Sequence, residues 1–524
     1  MKAHLLYRDR DFDRLPAALS LTPHRGWDNR APLWPQEDAV RQDLELDTLF
    51  NAMAGGDRFL YYAAQEAILS GLQNDAATIR YRQAVLQDCL RQPSLVKSMY
   101  DIAVEVIENK NRQWWGVTGR SPGSLLYGSV QLLTLFADAL AKLRRIADEH
   151  ATAFASEGFT TLLAMLRAEL SDDYLATIKT RLKELKFSHG VFMSASLGPG
   201  NQSADFVLRQ PASRKPWLAR VFGRRSPAYS FRLDPRDEAG ARALGELRDR
   251  GINLVANAAA QSADHILSFF VMLRAELAFY LGCVNLRREL ERRAVPVCFP
   301  VPAPPGAYRH SCVGLRDVCL ALSMDQPVVG NDLAADGKKL VVITGANKGG
   351  KSTFLRAVGL AQLMMQAGMF VAAESFTADL CRSLFTHYKR EEDTTMKSGK
   401  FDEELKRMSD IVEALTPDAL LLFNESFAAT NEREGSEIAR QIVRALLETR
   451  VKIFFVTHQY SFAHGLNGDK TDRILFLRAE RQPDGTRTYK LLPGEPLETS
   501  FGADLYEKIF GHNAVPMSRP TAHE

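Results

Sequence analysis

From about residue 42 to 190, apolar residues recur at three- and four-residue steps. "LDTLFNAMA", "RFLYYAAQEAIL" and "ATIRYRQAVLQDCL" each carry that period. "SLLYGSVQLLTLFADALAKLRRIADEH" and "TLLAMLRAELSDDYLATIKTRLKELKF" carry it for longer. One buried face of an α-helix has this spacing, so the pattern predicts a run of amphipathic helices. Residues 237–294 resume it and end in "ILSFFVMLRAELAFYLGCVNLRRELERR". The Met and Phe stripes of such helices form cores and need no catalytic role. Residues 1–41 read as irregular, punctuated by Pro16, Pro23, Pro32 and Pro35. After the helices comes a Pro-rich break, "VPVCFPVPAPPGAY", and then short apolar runs of the kind that make buried parallel strands. The chain so divides into 1–41, a helical part at 42–294 and an α/β part at 295–524.

The stretch 191–236 breaks the helical period. It holds Gly198, Gly200 and two strand-like pieces, "DFVLRQ" and "AYSFRL", with no acidic residue from Phe206 to Leu233. Arg214, Lys215, Arg220, Arg224 and Arg225 lie there among Trp217, Phe222 and Tyr229. Cations beside aromatics suit a phosphate backbone and unstacked bases. A solvated basic loop has the same composition, and the residues alone leave both readings open. These five cations are the candidate DNA contacts.

The chemistry is concentrated further along. Leu340–Ile343, a short β-branched run, leads into "TGANKGGKST". Gly345, four residues and Gly350-Lys351-Ser352 fit the G-x-x-x-x-G-K-[ST] spacing of a phosphate-binding loop. Phe354, Leu355, Val358 and Leu363 then fall at helical spacings. Strand, glycine-rich turn and helix in that order let backbone N–H groups wrap a phosphate, and the helix N-terminus adds a positive field. Gly345, Ala346, Asn347, Lys348, Gly349, Gly350, Lys351, Ser352 and Thr353 are the candidate nucleotide ligands. Lys351 is placed for the β/γ-phosphates and Ser352 for a magnesium ion, so ATP and Mg2+ are the expected cofactors. Ala346 stands where partitioning ATPases carry a signature lysine, which sets that group aside.

Downstream, "DALLLFNES" places an apolar strand, 419–423, immediately before Asn424 and Glu425. A strand ending in two polar residues can hold the magnesium shell and polarise the attacking water. Asn424 is the candidate on the metal side and Glu425 the candidate base. "VKIFFVTHQY" brings a second strand to His458, an imidazole in the order expected for a γ-phosphate sensor. A lone His at a strand end is more often structural; the succession of loop, Asn-Glu and His favours a functional one. Between these motifs Ser398-Gly399 opens a helix, and a helix N-terminus with small residues is another anion site.

Composition alters this picture only at its edges. A formal charge of +3 leaves polyanion binding to local patches, and 46% apolar residues suffice for sizeable cores. Cys89, Cys283, Cys298, Cys312, Cys319 and Cys381 lack metal-ligand spacing and fit a reducing compartment. "MKAHLLYRDRDFDRL" has no apolar signal core. The most apolar stretch, Ile266–Val284, is interrupted by Arg274 and Glu276, against a membrane span. A soluble, cytoplasmic protein is the expectation.

The motif order "VVGNDL", "LVVITGANKGGKSTFLRAVGLAQLMMQAGMFVAAES", "SGKF", "LLLFNES", "THQYSF", "YKLLPGEPLETSFGADLYEKIFG" resembles the ABC-type ATPase of the DNA mismatch-repair MutS family. "DRFLYYAAQEAILSGLQNDAATIRYRQAVLQDCLRQPSLVKSMY" is similar, more weakly, to that family's core or lever region, so the resemblance covers about 42–512. It implies an α/β P-loop ATPase domain at 295–524 behind a mainly α-helical lever-like domain at 42–294 with a small insertion at 191–236. It also implies a homodimer with composite sites, in which Ser398 and Gly399 of one subunit face the nucleotide held by the other. Lys351, Glu425 and His458 become the catalytic residues, Ser352 and Asn424 the metal side, and DNA the partner.

The departures are specific. The lever-like helices begin near residue 42, which leaves no room for the family's mismatch-reading and connector domains. The Phe-x-Glu at Phe401–Glu403 lies inside the ATPase part and cannot serve as the mismatch wedge. Asn424 stands where the family has a Walker B aspartate, Gly399-Lys400-Phe401 where it tends to Ser-Thr-Phe, and Glu374 where it has glutamine. "SFAATNEREG" replaces a Gly-Arg-Gly-Thr-Ser-Thr pattern but keeps Thr430 and Gly435, and no nuclease-type tail follows residue 512. The expectation is an ATPase of repair or recombination that grips branched or irregular DNA, with slow turnover one consequence of the neutral Walker B residue. A relative that grips RNA or ribosomes, and a nucleotide-sensing interaction protein with little hydrolysis, are the alternatives. No repair-protein partner is named by the sequence.

Overall fold

The structure is a computed structural model that describes residues 1–9, 32–114, 121–188, 190–209, 229–390, 399–467, 472–482 and 485–497. These form two compact units. The first contains Met1–His4 and the described residues of Ser94–Glu276. Its helices are most of Pro93–Trp114, then Pro122–His150, Glu157–Glu169, Asp172–Glu184 and the 55-residue helix Glu238–Arg292 as far as Glu276. Leu126, Val130, Leu182, Ile252 and Ala256 pack into a core there. The long pattern "TLLAMLRAELSDDYLATIKTRLKELKF" is broken in two at Ser171. Its hydroxyl accepts from the Tyr174 N–H and starts a new helix, a capping signal that outweighs the continuing apolar period.

In the insertion, "DFVLRQ" supplies β2 (Ser203–Leu208), which pairs antiparallel with β1 (Met193–Leu197). The described part of "AYSFRL", residues 229–233, makes no strand and is irregular, with Tyr229 and Phe231 exposed. The polar run "MSASL" takes the place beside β2, because a short turn brings it there whereas 229–233 follows in no such register. Arg214, Lys215, Arg220, Arg224 and Arg225 lie outside the described residues. Among the described residues, two helical stretches, Pro122–Ala153 (the helix Pro122–His150 with the short turn after it) and Glu238–Arg292, contain windows long and apolar enough to cross a membrane by length and composition. In the second, 83% of the window is buried inside the protein, as in a core helix; in the first, 44% is.

The second unit joins Leu5–Tyr7 and residues 32–93 to the described residues from Leu277 on, while Arg8 and Asp9 belong to the first. Its limits differ from the sequence division at 294/295, because the helices before Pro93 are bonded into the α/β part. Asn74 Nδ2 donates to the Gln366 carbonyl at 2.8 Å and Gln83 Nε2 to the Pro300 carbonyl at 2.9 Å. Helix also starts earlier than expected, at Glu37–Asp43 inside the segment read as irregular; buried Val40 anchors it, and Asp43 pairs with Arg390 at 2.8 Å. The helices Leu46–Ala54, Arg58–Leu69 and Ala76–Arg91 follow as their periods predict.

Among the described residues, ten strands complete this unit: β3 (Val301–Ala303), β4 (His310–Leu315), β5 (Asn331–Ala334), β6 (Leu340–Gly345), β7 (Ser375–Asp379), β8 (Leu384–Tyr388), β9 (Ala419–Asn424), β10 (Val451–Val456), β11 (Ile474–Arg481) and β12 (Arg487–Pro493). A small mixed sheet runs β3-β7-β4-β5. The main sheet runs β12-β11-β6-β10-β9-β8, parallel throughout except for the antiparallel edge β12. Its apolar strands are covered on one face by Met408, Ile411, Ala439, Val443 and Phe462 from helices Lys400–Ala414, Glu432–Leu447 and Tyr460–Asn467. The buried helix Lys351–Ala367 packs against β9 and β10 as well as against Arg58–Leu69. β10 separates β6 from β9, so three strands end side by side at the sheet's carboxyl edge, where ligands of open parallel sheets bind.

Candidate nucleotide site

β6 ends at Gly345 (φ 108°), and the helix Lys351–Ala367 begins behind Gly350 (φ 88°). The loop between them leaves no space for side chains on its inner wall. A Cβ on Gly345 would sit 2.9 Å from the Ala479 nitrogen, and one on Gly349 2.8 Å from the Ala346 oxygen. Only glycine lets the backbone pass this close while turning. Lys351 is buried, and its Nζ donates to the loop's own carbonyls, Gly345 at 2.9 Å and Ala346 at 3.0 Å. Burial lowers the pKa of this ammonium, and the Glu425 carboxylate pulls it partly back up.

Ser352 Oγ donates to Asn424 Oδ1 at 2.8 Å, joining the first turn of the helix to the end of β9 across 72 residues of sequence. Glu425 follows with φ 53°, its N–H held by the Val456 carbonyl at 2.9 Å. His458, just beyond β10, brings Nδ1 to 3.5 Å from Glu425 Oε1, a long contact. The bonding reach of His458 and then its charge, with Lys351 and Lys389 behind, hold the Glu425 carboxyl below the usual carboxylate range; partial burial opposes them. Lys351, Ser352, Asn424, Glu425 and His458 are thereby brought to one edge of the sheet. Gly399 caps the N-terminus of helix Lys400–Ala414 and is exposed; Ser398 lies outside the described residues.

Magnesium fits this set in one way. No group of three or more His, Cys, Asp or Glu that could hold a metal occurs among the described residues. The oxygens of Ser352 and Asn424 are hard but neutral, which suits an ion arriving with a nucleotide's phosphates better than a resident one.

Two further features complete the site, each from a stretch to which residue spacing assigns no site role. Asn331, from "VVGNDL", donates to the Tyr489 carbonyl at 3.1 Å and accepts from the Leu491 N–H at 2.7 Å, clasping β12. Beside it a pocket of about 310 Å³, lined by Met324, Val328, Val329 and Tyr489, opens onto Lys348, Gly350 and Thr353. It is the right kind of slot for a flat apolar ring next to a phosphate loop. The second feature is the turn after Glu425: a Cβ on Gly435 would lie 2.2 Å from the Phe427 carbonyl, so glycine there lets the helix Glu432–Leu447 close on the turn.

Strand order, loop and converging polar ends are consistent with a nucleotide-binding α/β domain of the P-loop type. Residues 74–293 match the MutS2 N-terminal domain, and residues 341–515 match MutS domain V. The chain belongs to the MutS family. MutS protein homolog 4 of Homo sapiens is 29% identical over 151 residues, which are 29% of this chain and 16% of that protein. DNA mismatch repair protein MutS of Porphyromonas gingivalis is 34% identical over 192 residues, 35% of this chain and 21% of the relative. Endonuclease MutS2 of Thermus thermophilus is 33% identical over 172 residues, 32% and 23% of the two chains. The matched part therefore spans about a fifth of each relative's length.

Proposed function

We propose that the α/β part binds ATP with Mg2+ and hydrolyses it, and that turnover drives a grip on branched or irregular DNA in repair or recombination. The observation that carries the reading is the 2.8 Å Ser352–Asn424 contact with Glu425 next in sequence, which sets the phosphate loop against the candidate base. The N–H groups of 346–353 take the phosphates, Lys351 turns from its carbonyls to the β/γ-oxygens, and the pocket at Val328, Val329 and Tyr489 takes the base. Ser352 and Asn424 would hold a magnesium ion arriving with the nucleotide, which would supply neutralising charge at the phosphates. Glu425 orients the attacking water and accepts its proton, and His458 fixes the carboxylate.

Gly399, exposed at a helix N-terminus, supports a homodimer in which it and Ser398 meet the other subunit's nucleotide. DNA as the ligand is supported by the names of relatives described as a mismatch repair protein and an endonuclease. The neutral Asn424 favours a second reading, a nucleotide sensor that hardly hydrolyses. ATP turnover with and without duplex, mismatched, forked and four-way DNA separates the two; a slow rate that no DNA alters would leave the sensor.

Asn424→Asp adds a charge beside the ion and is expected to lower the magnesium concentration for half-maximal turnover severalfold. An unchanged magnesium dependence would remove Asn424 from the metal side. Replacing Arg214, Lys215, Arg220, Arg224 and Arg225 with Ala is expected to weaken DNA binding uniformly across sequences. It should also flatten the salt dependence by roughly one counterion for each phosphate no longer neutralised. An unaltered salt slope would return the segment to a solvated loop.

A further inference from the structure

Three buried polar residues behind the site have no part in the chemistry above. They are His387 on β8, Ser426, and Glu404 in helix Lys400–Ala414. His387 Nε2 lies 3.0 Å from the Glu404 carbonyl, and Nδ1 lies 2.8 Å from Ser426 Oγ. A carbonyl can only accept, so Nε2 carries the hydrogen and Nδ1 presents its lone pair to the serine hydroxyl. That hydroxyl also reaches the backbone carbonyl of His387, so one proton serves two acceptors on the same residue. Burial, with Arg407 nearby, lowers the imidazole pKa to about 4, which keeps the ring neutral and the tautomer fixed at neutral pH. The ring stacks on Phe427, centroids 5.2 Å apart and planes at 19°.

The backbone held in this way is unusual. Glu425 (φ 53°) and Phe427 (φ 61°) both lie in the left-handed region, which residues with side chains rarely adopt. Ser426 is the residue between them. Burial raises the pKa of the Glu404 carboxyl, and the nearby Arg407 charge and the backbone N–H groups of Ala429 and Phe427 offset part of that rise. Gln459 steadies the turn from the other side, donating to the Phe427 carbonyl at 3.1 Å.

We propose that His387 is a positioning residue: it ties helix Lys400–Ala414 to the Ser426 side chain and so fixes the direction of the Glu425 carboxylate. This rests on Glu425 being the base. Its consequence reaches further, because that helix begins at Gly399, where the other subunit's nucleotide is proposed to dock. A shift of the helix on docking is passed through His387 to the turn that carries Glu425.

The test uses His387→Asn and His387→Gln in the full chain. Asn keeps a partner for Ser426 but is too short for the Glu404 carbonyl; Gln reaches that carbonyl but gives up the group facing Ser426. Each is expected to slow single-turnover ATP hydrolysis roughly 10- to 100-fold, the cost of a misdirected catalytic group. The Kd for ATP should stay within about twofold, because the loop on β6 is untouched. Ser426→Ala should give a loss of the same order, and adding it to His387→Asn should cost little more, as for residues acting through one contact. Wild-type hydrolysis in a folded His387 variant, or weakened ATP binding with the rate unchanged, overturns the proposal. If a His387 variant loses its thermal transition, Ser426→Ala decides, and a wild-type rate there overturns it equally. Glu425→Gln is run in parallel. If it still hydrolyses ATP, the catalytic reading falls and this inference with it; if it is inactive while the His387 variants are not, this inference falls alone.

Discussion

Glu425→Gln is expected to bind ATP and leave it uncleaved. The substitution keeps the size of the side chain and its place at the end of β9 but removes the group that accepts a proton. Loss of a general base costs typically about 10²- to 10⁴-fold in rate. In the native protein His458, Lys351 and Lys389 keep the Glu425 carboxyl below its usual range, so it is ionised and ready at neutral pH. Acidification should therefore disable it only below the pH at which an ordinary carboxylate takes up its proton. The uncleaved nucleotide should also hold the two ATPase domains of a dimer together, because Gly399 and Ser398 are proposed to meet the other subunit's γ-phosphate. Single-turnover hydrolysis and sedimentation with ATP and magnesium measure the two effects separately. Hydrolysis at the wild-type rate would remove Glu425 from catalysis. An uncleaved nucleotide without tighter association would remove the composite site and leave the catalytic assignment standing.

Lys351→Ala should fail at the earlier step. Nζ is buried and already holds two loop carbonyls, at 2.9 and 3.0 Å, so its removal strips the loop of an internal brace as well as a cation. A hydrogen bond to a charged group contributes about 1.5–3 kcal/mol. Without one such bond to a phosphate, ATP should bind roughly 10- to 150-fold more weakly. The variant should also show no association in the sedimentation experiment that tightens Glu425→Gln. Titration of a fluorescent ATP analogue gives the affinity directly, and binding within twofold of wild type would mean that Lys351 does not hold the phosphates.

How far the sequence carries depends on how local each signal is. The loop at 345–353 is legible because its glycines answer to steric limits within the loop and against one neighbouring strand. The helices Leu46–Ala54, Arg58–Leu69 and Ala76–Arg91 are legible because burial of one face imposes its period on the chain. The break at Ser171 is local too, but it is a single hydroxyl inside a strong apolar pattern, and the pattern hides it.

By itself the sequence determined the chemistry-bearing motifs, the helical and α/β halves and the family resemblance, all of which depend on residues near one another along the chain. Tertiary structure alone decided which distant residues meet. It set Ser352 against Asn424 and placed His458 by Glu425, because β10 inserts between β6 and β9 and brings three strand ends to one edge. It joined "VVGNDL" to "YKLLPGEP" through Asn331 and so built one pocket from two motifs far apart along the chain. It drew the helices before Pro93 into the α/β unit, through side chains such as Asn74 and Gln83 that bond backbone carbonyls more than 200 residues away. And it turned His387, unremarkable in "LFTHYKR", into a bridge between Ser426 and Glu404, since a buried imidazole has two ends to satisfy and only the packed fold supplies both.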